Sequence, residues 1–401
     1  MICLKEIFSI VAQNGYTLKN FLQMSTLFSC RLSRIPTTST ERVMHLFKTA
    51  SAAASFALSV FVVTPLVSQE LPSIYPGVTT LGERTIPAPV GLSPEMLEVV
   101  KERQIPPFIP APNNTDDWLE FQAMFDKAGV ELGLAAVAHN EATYEVKDIA
   151  GVRTYVVTPK KVNDRWGDRV FVHIHGGAWV FGGGDSALRE AVWAASGLGV
   201  KVISVDYRRP PLHPFPAAIE DSVAVWQEIL KTQDNSQTAL IGTSAGGNIS
   251  LGTVLRLKEL GLPLPGAIFA GTPSTDLQNI SDTWRTLEGL DPLGARKEGG
   301  VIQGAIDLYV GTSDPSNPLL SPINGNLNGF PPTILISGTR DILLSDTVRM
   351  HRALRGAGVT ADLHVYDGQA HADYMQNLLR PVPEATDAQR ELYEFFDRHL
   401  K

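Results

Sequence analysis

Residues 238–247 read TALIGTSAGG, a short apolar run followed by six small residues. The apolar run predicts a buried β-strand, and the residues after Gly247 have helical character. Glycines on both sides of Ser244 allow a tight turn between the two elements. A G-x-S-x-G string placed between a strand and a helix is typical of a nucleophile elbow, which lifts the serine hydroxyl above a sheet. Ser244 is therefore the candidate nucleophile.

The chain after residue 140 alternates short β-branched or aromatic runs with helical stretches. Eight such runs predict strands, at residues 143–149, 152–158, 170–174, 202–205, 238–241, 267–270, 333–336 and 363–366. Helical stretches such as 216–231, 248–260 and 345–356 separate most of the later runs, which predicts a mostly parallel sheet with helices on both faces. The first two runs lie too close together for a crossover helix, so we expect them to pair antiparallel at one edge.

A serine hydroxyl becomes a good nucleophile when an imidazole takes its proton and a carboxylate orients that imidazole. His371 lies in a loop just past the last predicted strand, from which it can reach Ser244. The other late histidines occupy less suitable positions: His351 within a helix, His364 within a strand and His399 at the C-terminus. We therefore assign His371 as the base.

The acid should follow a strand near the same edge of the sheet. Asp341 comes after the run at 333–336 and a short turn, and we assign it to this role. Its alternative interpretation is a helix N-cap, a frequent use of aspartate. Asp346 lies beyond the turn and Asp367 shares the loop of His371, so both are weaker candidates.

Residues 175–179 read HGGAW and follow the predicted strand at 170–174. Glycines after a strand let the backbone turn its N–H groups toward a substrate carbonyl. We therefore assign Gly176 and Gly177, together with the amide of Ala245, to an oxyanion hole. His175 is interpreted as structural. Residues 182–184 are three glycines, but no Lys-Ser/Thr pair follows them as in a phosphate-binding loop.

The N-terminal part of the chain has the pattern of a targeting segment. Residues 52–63 form an apolar stretch after Lys48, too short for a membrane span but suited to a signal peptide. We interpret 1–43 as an over-extended leader before Met44, and 44–68 as a signal peptide for export to the periplasm or the medium. A cytoplasmic leader or a membrane-surface anchor is the alternative. Both cysteines, Cys3 and Cys30, precede this segment.

Residues 69–140 predict an N-terminal arm with cap helices, and residues 141–401 the catalytic domain. One helix should start at Pro94 after the N-cap Ser93, and another after Thr115. The interval 275–311 breaks the alternation of strands and helices and predicts an insertion that joins the cap over the carboxyl ends of the strands. We expect four aromatic residues to contact substrate: Trp118, Trp179, Phe181 and Trp284.

Composition excludes several functions. The formal net charge is −8, so no basic face is expected for a nucleic acid. The chain has no H-E-x-x-H motif, and His173 and His175 lack a third ligand at metal-binding spacing. We therefore expect neither a metal nor a cofactor, and a small molecule as the partner. The sequence leaves open whether the protein is a monomer or a dimer.

From about residue 90 to its end, the chain resembles the bacterial hormone-sensitive-lipase-like carboxylesterases, in the branch with the motif GTSAGG. The resemblance rests on several segments in the right order: HGG at 175–177, DYR at 206–208, HPFPAA at 213–218, GTSAGG at 242–247, PLLSP at 318–322, Asp341 and His371. It implies an α/β-hydrolase fold with a helical cap, no cofactor, and hydrolysis of short to medium acyl esters.

The chain departs from the family pattern in three places, of which the second and third bear on the shape of the acyl pocket and on substrate choice. Ala178 replaces a glycine, residues 209–212 read RPPL, and Ala372 and Asp373 follow the histidine. Hydrolysis of lactones is an alternative because it uses the same three residues. A ligand-binding receptor that has lost its activity is a further alternative, which the presence of His371 disfavours. Peptidase or amidase activity would share the serine motif as well.

Overall fold

The structure is a computed structural model and describes residues 82, 83 and 85–401. Residues 88–401 lie in one compact unit, whereas the described residues before Ala88 belong to another and contain no helix or strand. The predicted leader at 1–43, the predicted signal peptide at 44–68 and both cysteines lie outside the described residues.

The unit is built on one mixed sheet. Its strands are β1 (Thr143–Ile149), β2 (Val152–Thr158), β3 (Val170–Ile174), β4 (Lys201–Val205), β5 (Ala239–Thr243), β6 (Ala267–Gly271), β7 (Thr333–Gly338) and β8 (Ala361–Tyr366). The order across the sheet is β1-β2-β4-β3-β5-β6-β7-β8. The eight strands predicted from the sequence are confirmed.

Strand direction also follows the prediction. β1 pairs antiparallel with β2 at one edge, with Ile149 opposite Val152 across the two-residue turn. β2 in turn pairs antiparallel with β4. The other six strands, which follow β2 across the sheet in the order β4-β3-β5-β6-β7-β8, run parallel to one another. Their carboxyl ends therefore meet at the same edge of the sheet, where ligands of open α/β sheets bind.

Helices cover both faces of the sheet. They are α1 (Pro94–Glu102), α2 (Thr115–His139), α3 (Leu188–Leu198), α4 (Ala217–Ile229), α5 (Ala245–Glu259), α6 (Thr283–Thr286), α7 (Val301–Val310), α8 (Leu344–Gly356) and α9 (Pro383–His399). Short 3-10 turns occur at Gly184–Ala187, Asn235–Gln237, Pro322–Asn324 and Asp373–Met375. Helices α3 and α9 were not singled out from the sequence.

The core lies in two layers, one on each face of the sheet. Side chains alternate along β3, so that Val172 joins the core under α4, α5 and α8, and Phe171 joins the core under α3 and α9. Leu240 and Ile241 of β5 divide in the same way. Burial on both faces explains why the central strands read as continuous apolar runs.

The N-terminal helix starts where the sequence predicts. The Ser93 hydroxyl accepts the Met96 N–H at 3.1 Å, and Pro94 occupies the first turn, where a missing N–H costs nothing. The Ser93 hydroxyl also donates to Glu384 at 2.7 Å, which anchors α1 to the start of α9. None of the helices in the described ranges is long and apolar enough to cross a membrane.

The arm and the insertion at 275–311 contact each other. The Ala111 N–H donates to the Gly299 carbonyl, and the Val301 N–H donates to the Ile109 carbonyl, each at 2.8 Å. Trp118 of α2 packs in one apolar cluster with Ala305 of α7. The insertion is helical and contains no strand, as expected from its sequence.

Candidate active site

Ser244 lies at a sharp turn between β5 and α5. Its backbone has φ 60° and ψ −122°, a conformation that non-glycine residues rarely adopt. The turn is tight because strand and helix pack closely: a Cβ on Gly246 would collide with the carbonyl of Ile174, and one on Gly242 with the backbone of Gly246. The two glycines therefore hold the partly buried serine in a strained turn at the carboxyl edge of the sheet.

This packing predicts a specific sensitivity to a single methyl group. Gly246→Ala should lower the free energy of unfolding by at least about 1–3 kcal/mol, because backbone atoms that cannot rotate away must move. Gly356→Ala is the matched control, since no atom of the described residues lies within 4 Å of the added methyl and alanine favours a helix. Urea unfolding of both variants measures the difference. Equal stabilities would show that the elbow tolerates the methyl group.

The structure brings Ser244, His371 and Asp341 together. The Ser244 Oγ lies 3.0 Å from His371 Nε2, and His371 Nδ1 lies 3.2 Å from Asp341 Oδ1. The acid follows β7 and the histidine follows β8, so both loops leave the same edge of the sheet as the elbow. The Asp341 side chain is fully buried and the His371 side chain is 12% exposed.

Asp341 is held by more contacts than the histidine alone. Its Oδ1 also accepts the Leu343 N–H at 2.9 Å, so the acid caps the turn before α8 as well as orienting the imidazole. Its Oδ2 accepts the hydroxyl of Ser337 at 2.6 Å and that of Thr272. Asp341 is not the N-cap of α8, because that helix begins at Leu344 and its N-cap is Leu343.

Thr272 is a contact that the sequence analysis missed. It follows β6, is fully buried and has φ 38°, in the region that favours glycine. Its hydroxyl bonds Asp341 and lies 3.1 Å from His371 Nδ1. Its position directly after a central strand could have indicated this role, since Ser244 and Asp341 also lie just past the ends of strands.

The pair is arranged to keep the acid ionised and the base ready to accept a proton. Burial raises the pKa of Asp341, but hydrogen bonds from His371, Ser337 and Thr272 outweigh it and bring the pKa below its ordinary value. Burial likewise disfavours the imidazolium, yet the bond and charge of Asp341 raise the pKa of His371 above its ordinary value. The carboxylate therefore stabilises the protonated base.

The oxyanion-hole assignment of Gly176 needs correction. The Gly176 N–H donates to both carboxylate oxygens of Glu190, at 3.3 Å each, so this amide is not free for a substrate. Glu190 comes from α3 and also bonds His173 Nε2 at 3.3 Å. No sequence pattern indicates this contact, because Glu190 reads as an ordinary helical glutamate.

The neighbouring amides remain available. In the described part of the chain, the N–H groups of Gly177, Ala178 and Ala245 have no protein acceptor. Gly177 has φ 111°, and a Cβ there would collide with the Phe181 carbonyl. Ala245 is the first residue of α5, where N–H groups have no partner within the helix. From the sequence, Ala178 was noted only as a replacement for a glycine and was not assigned to the oxyanion hole.

The rival residues bond elsewhere. His175 is buried, bonds the Gly176 carbonyl at 2.8 Å and stacks on Tyr207, and burial lowers its pKa to about 3. The late histidines have other partners: His351 bonds the Ala361 carbonyl, His364 bonds Glu391, and His399 contacts Phe395. Asp346 accepts the N–H groups of Thr275 and Asp276, and Asp367 accepts the Thr339 hydroxyl.

The four aromatic residues assigned to substrate contacts do not form one group. Trp118 packs with Phe181, whereas Trp179 stacks on Tyr309 and Trp284 packs on Ile342 and Leu343. The three tryptophans are only 3–4% exposed. Their contact with substrate stays a prediction.

Helix α2, predicted from the sequence as a cap helix, is bonded to the loop at 175–184, here called the glycine loop. The Gly182 N–H donates to Asp126 at 2.7 Å, and Arg209 bridges Asp126 and the Val180 carbonyl at 2.9 and 2.8 Å. Gln122 donates to the Val180 carbonyl as well. Arg209 belongs to the RPPL segment, so this departure from the family pattern serves to link cap and loop.

Another buried acid, Asp291, lies beside the histidine. In the described ranges, Asp291, Asp341 and His371 each offer a ligand atom, and the three atoms lie within 4.8 Å of one another. Hydrogen-bond donors already contact both acids, including Leu343 on Asp341 and Ile342 on Asp291. Hydrogen bonding therefore accounts for this cluster. The sequence analysis missed Asp291 because it falls in the irregular insertion.

Comparisons with known proteins identify the fold and the family of the chain. Residues 171–375, half of the chain, match the family described as the alpha/beta hydrolase fold. The crystal structure of esterase E25 has a TM-score of 0.78 and 39% identity, over 81% of this chain and 99% of that one. The crystal structure of an esterase from the bacterial hormone-sensitive lipase family has a TM-score of 0.60 and 27% identity, over 72% and 100%.

A sequence relative points the same way. Carboxylesterase NlhH of Mycobacterium tuberculosis is 32% identical over 261 residues, which are 62% of this chain and 78% of that protein. The chain belongs to the α/β-hydrolase family. Within it, the relatives are bacterial esterases of the hormone-sensitive lipase type, and the enzyme class is carboxylic ester hydrolase.

Proposed function

We propose that this protein is a serine carboxylesterase with Ser244 as nucleophile, His371 as base and Asp341 as the acid that orients the base. The observation that carries the proposal is the continuous chain of contacts from the Ser244 Oγ through His371 to Asp341, at 3.0 and 3.2 Å. Three groups at this spacing perform acyl transfer on several unrelated folds.

Acylation begins at the serine. The Ser244 oxygen attacks the ester carbonyl while His371 Nε2 takes the hydroxyl proton, and Asp341 stabilises the resulting imidazolium. The carbonyl oxygen becomes an oxyanion, which the amides of Gly177, Ala178 and Ala245 would bind. The start of α5 adds the positive end of its dipole at the same place. His371 then protonates the leaving alcohol, and an acyl-enzyme remains.

Deacylation uses the same groups in reverse. A water molecule gives a proton to His371 and attacks the acyl carbonyl, so that the oxyanion forms again in the same position. Collapse of this intermediate returns the proton to Ser244 and releases the carboxylic acid. No step requires a group beyond these side chains, the backbone amides and water.

We infer short to medium acyl esters as the substrates, on the strength of the family resemblance. The test is turnover of p-nitrophenyl esters from acetate to laurate, with a set of lactones measured alongside. We expect hydrolysis to be fastest among the shorter esters and weakest for laurate. Faster opening of lactones would favour a lactone hydrolase. Absence of turnover on every substrate would contradict the proposal and favour a ligand-binding receptor.

A further inference from the structure

We propose that Asp291 is a positioning residue that holds the base His371 and its acid Asp341 in register. The inference rests on the proposed function, because it assigns a purpose to a contact with the base of that mechanism. Asp291 is not a catalytic residue in this scheme, since its carboxylate contacts backbone groups and not the reacting atoms.

The contacts of Asp291 join three separate segments. Its Oδ2 accepts the His371 N–H at 3.1 Å and the Ile342 N–H at 2.8 Å. Its Oδ1 accepts the Leu293 N–H at 2.7 Å, which fixes the side chain against its own loop. The carboxylate is fully buried, so water does not compete for these bonds.

Two of these N–H donors belong to His371 or to the residue next to Asp341. One is the backbone of the base itself, and the other is Ile342, the residue that follows Asp341 in the chain. The loops after β7 and β8 thus share one oxygen atom of Asp291 as well as the side-chain bond between Asp341 and His371. The insertion thereby fixes the distance between the two loops.

Small displacements of a base are costly in catalysis. A misplacement of about 1 Å can lower the rate about 10²-fold, because the proton must pass along a short, aligned hydrogen bond. Ser244 comes from a third element, so any shift of the loop that carries His371 lengthens the bond between Nε2 and Oγ. Asp291 opposes that shift because it accepts the backbone N–H of His371 itself.

Asp291 also contributes charge. The titratable groups that face it are His371 and Asp341, and those that face His371 are Asp341, Asp291 and Glu190. Burial raises the pKa of Asp291 to about 6, and the charge of Asp341 adds to this while that of His371 opposes it. Above that pH the carboxylate is ionised, and its negative charge raises the pKa of His371.

A purely structural role would predict a different outcome from a positioning role. If Asp291 served only to stabilise the insertion, its loss would lower stability and leave the pH profile of the folded enzyme unchanged. If it positions and charges the base, its neutral variant should have a lower kcat, a nearly unchanged KM and a base that is easier to deprotonate.

The test compares Asp291→Asn with Asp346→Asn. Asp346 is the matched control: it is also fully buried and accepts two backbone N–H groups, and burial raises its pKa to about 6, but His371 is not among its contacts. We expect Asp291→Asn to lower kcat about 10- to 100-fold. The acid limb of kcat/KM should move to lower pH, because His371 loses a neighbouring negative charge. Asp346→Asn should keep the wild-type limb.

An unchanged acid limb in folded Asp291→Asn would overturn the proposal, as would an equal shift in Asp346→Asn. Should Asp291→Asn not fold, Asp291→Glu replaces it, since the longer side chain keeps the charge and alters the geometry. If Asp291→Glu keeps the wild-type acid limb of kcat/KM and has a lower kcat, the proposal is supported. A wild-type kcat or a shifted acid limb in this variant overturns it. Failure of the proposed function itself would be recognised separately, by turnover that survives Ser244→Ala.

Discussion

Ser244→Ala should abolish ester hydrolysis, with kcat lower by about 10⁵- to 10⁶-fold on p-nitrophenyl butyrate. The variant keeps the elbow, the amides of Gly177 and Ala245 and the neighbouring imidazole, but it has no oxygen that can form the acyl-enzyme. The remaining rate would come from binding and from stabilisation of the oxyanion during direct attack by water. Steady-state kinetics over a range of enzyme concentrations measures the loss.

Ser250→Ala is the matched control for this experiment. Ser250 lies on α5, the helix that begins directly after Ser244. It is fully buried, and its hydroxyl has no hydrogen-bond partner among the described residues. Its removal should leave kcat within a small factor of wild type. Thermal melts of both variants show whether folding is intact. Appreciable turnover by folded Ser244→Ala would refute the assignment of the nucleophile.

Asp341→Asn should lower kcat about 10⁴-fold with little change in KM. The amide is nearly the same size as the carboxylate, so the loop can keep its shape. Its NH₂ group can face His371 Nδ1, however, and this favours the tautomer that carries a proton on Nε2. That nitrogen then cannot accept the proton of Ser244, and no full negative charge stabilises the imidazolium.

The buried neighbour Asp346 again offers the comparison. Asp346→Asn removes a carboxylate of equal burial from the same segment of chain, without a contact to the imidazole. If only Asp341→Asn shows a large loss of kcat, the loss comes from the missing contact between the carboxylate and His371. Similar losses in both variants would instead show that any buried charge in this segment is needed for the fold, and the acid would have to be sought elsewhere.

Much of the site was predictable because its residues follow strands directly. The elbow requires glycine at position 242 because a Cβ there would meet the backbone of Gly246, four residues along the chain, whereas the limit at Gly246 comes from Ile174 on the adjacent strand β3. Asp341 and His371 could be assigned because parallel strands place their carboxyl ends at one edge. In each case a local pattern and one rule of topology were sufficient to predict the contact.

The parts that escaped prediction depend on side chains that meet only after folding. Asp291 lies in the insertion, whose irregular sequence has no periodicity from which to place it. Glu190 lies on α3, and only the structure reveals that its carboxylate takes the Gly176 amide. Which amide of an HGG motif faces the substrate therefore depends on a helix that the motif does not include.

Strand β8 illustrates the limit for secondary structure. The sequence predicts residues 363–366, whereas the strand runs from Ala361 to Tyr366. It pairs only with β7 and lies at an edge of the sheet, and Asp362 and His364 are half-buried. Polar residues are tolerated there because, among the described residues, no strand pairs with the outer side of β8, so the apolar run in the sequence is shorter than the strand.

The bonds from Asp126 and Gln122 to the glycine loop bear on how this enzyme can be divided. After residue 140 the sequence alternates strands with helices, which suggests that a minimal hydrolase could be obtained by removing all residues before that point. Such a truncation would leave Arg209 without its carboxylate partner and Gly182 without its acceptor. The glycine loop would lose these supports, so the segment before residue 140 is also part of the frame that holds the backbone next to Ser244 in place.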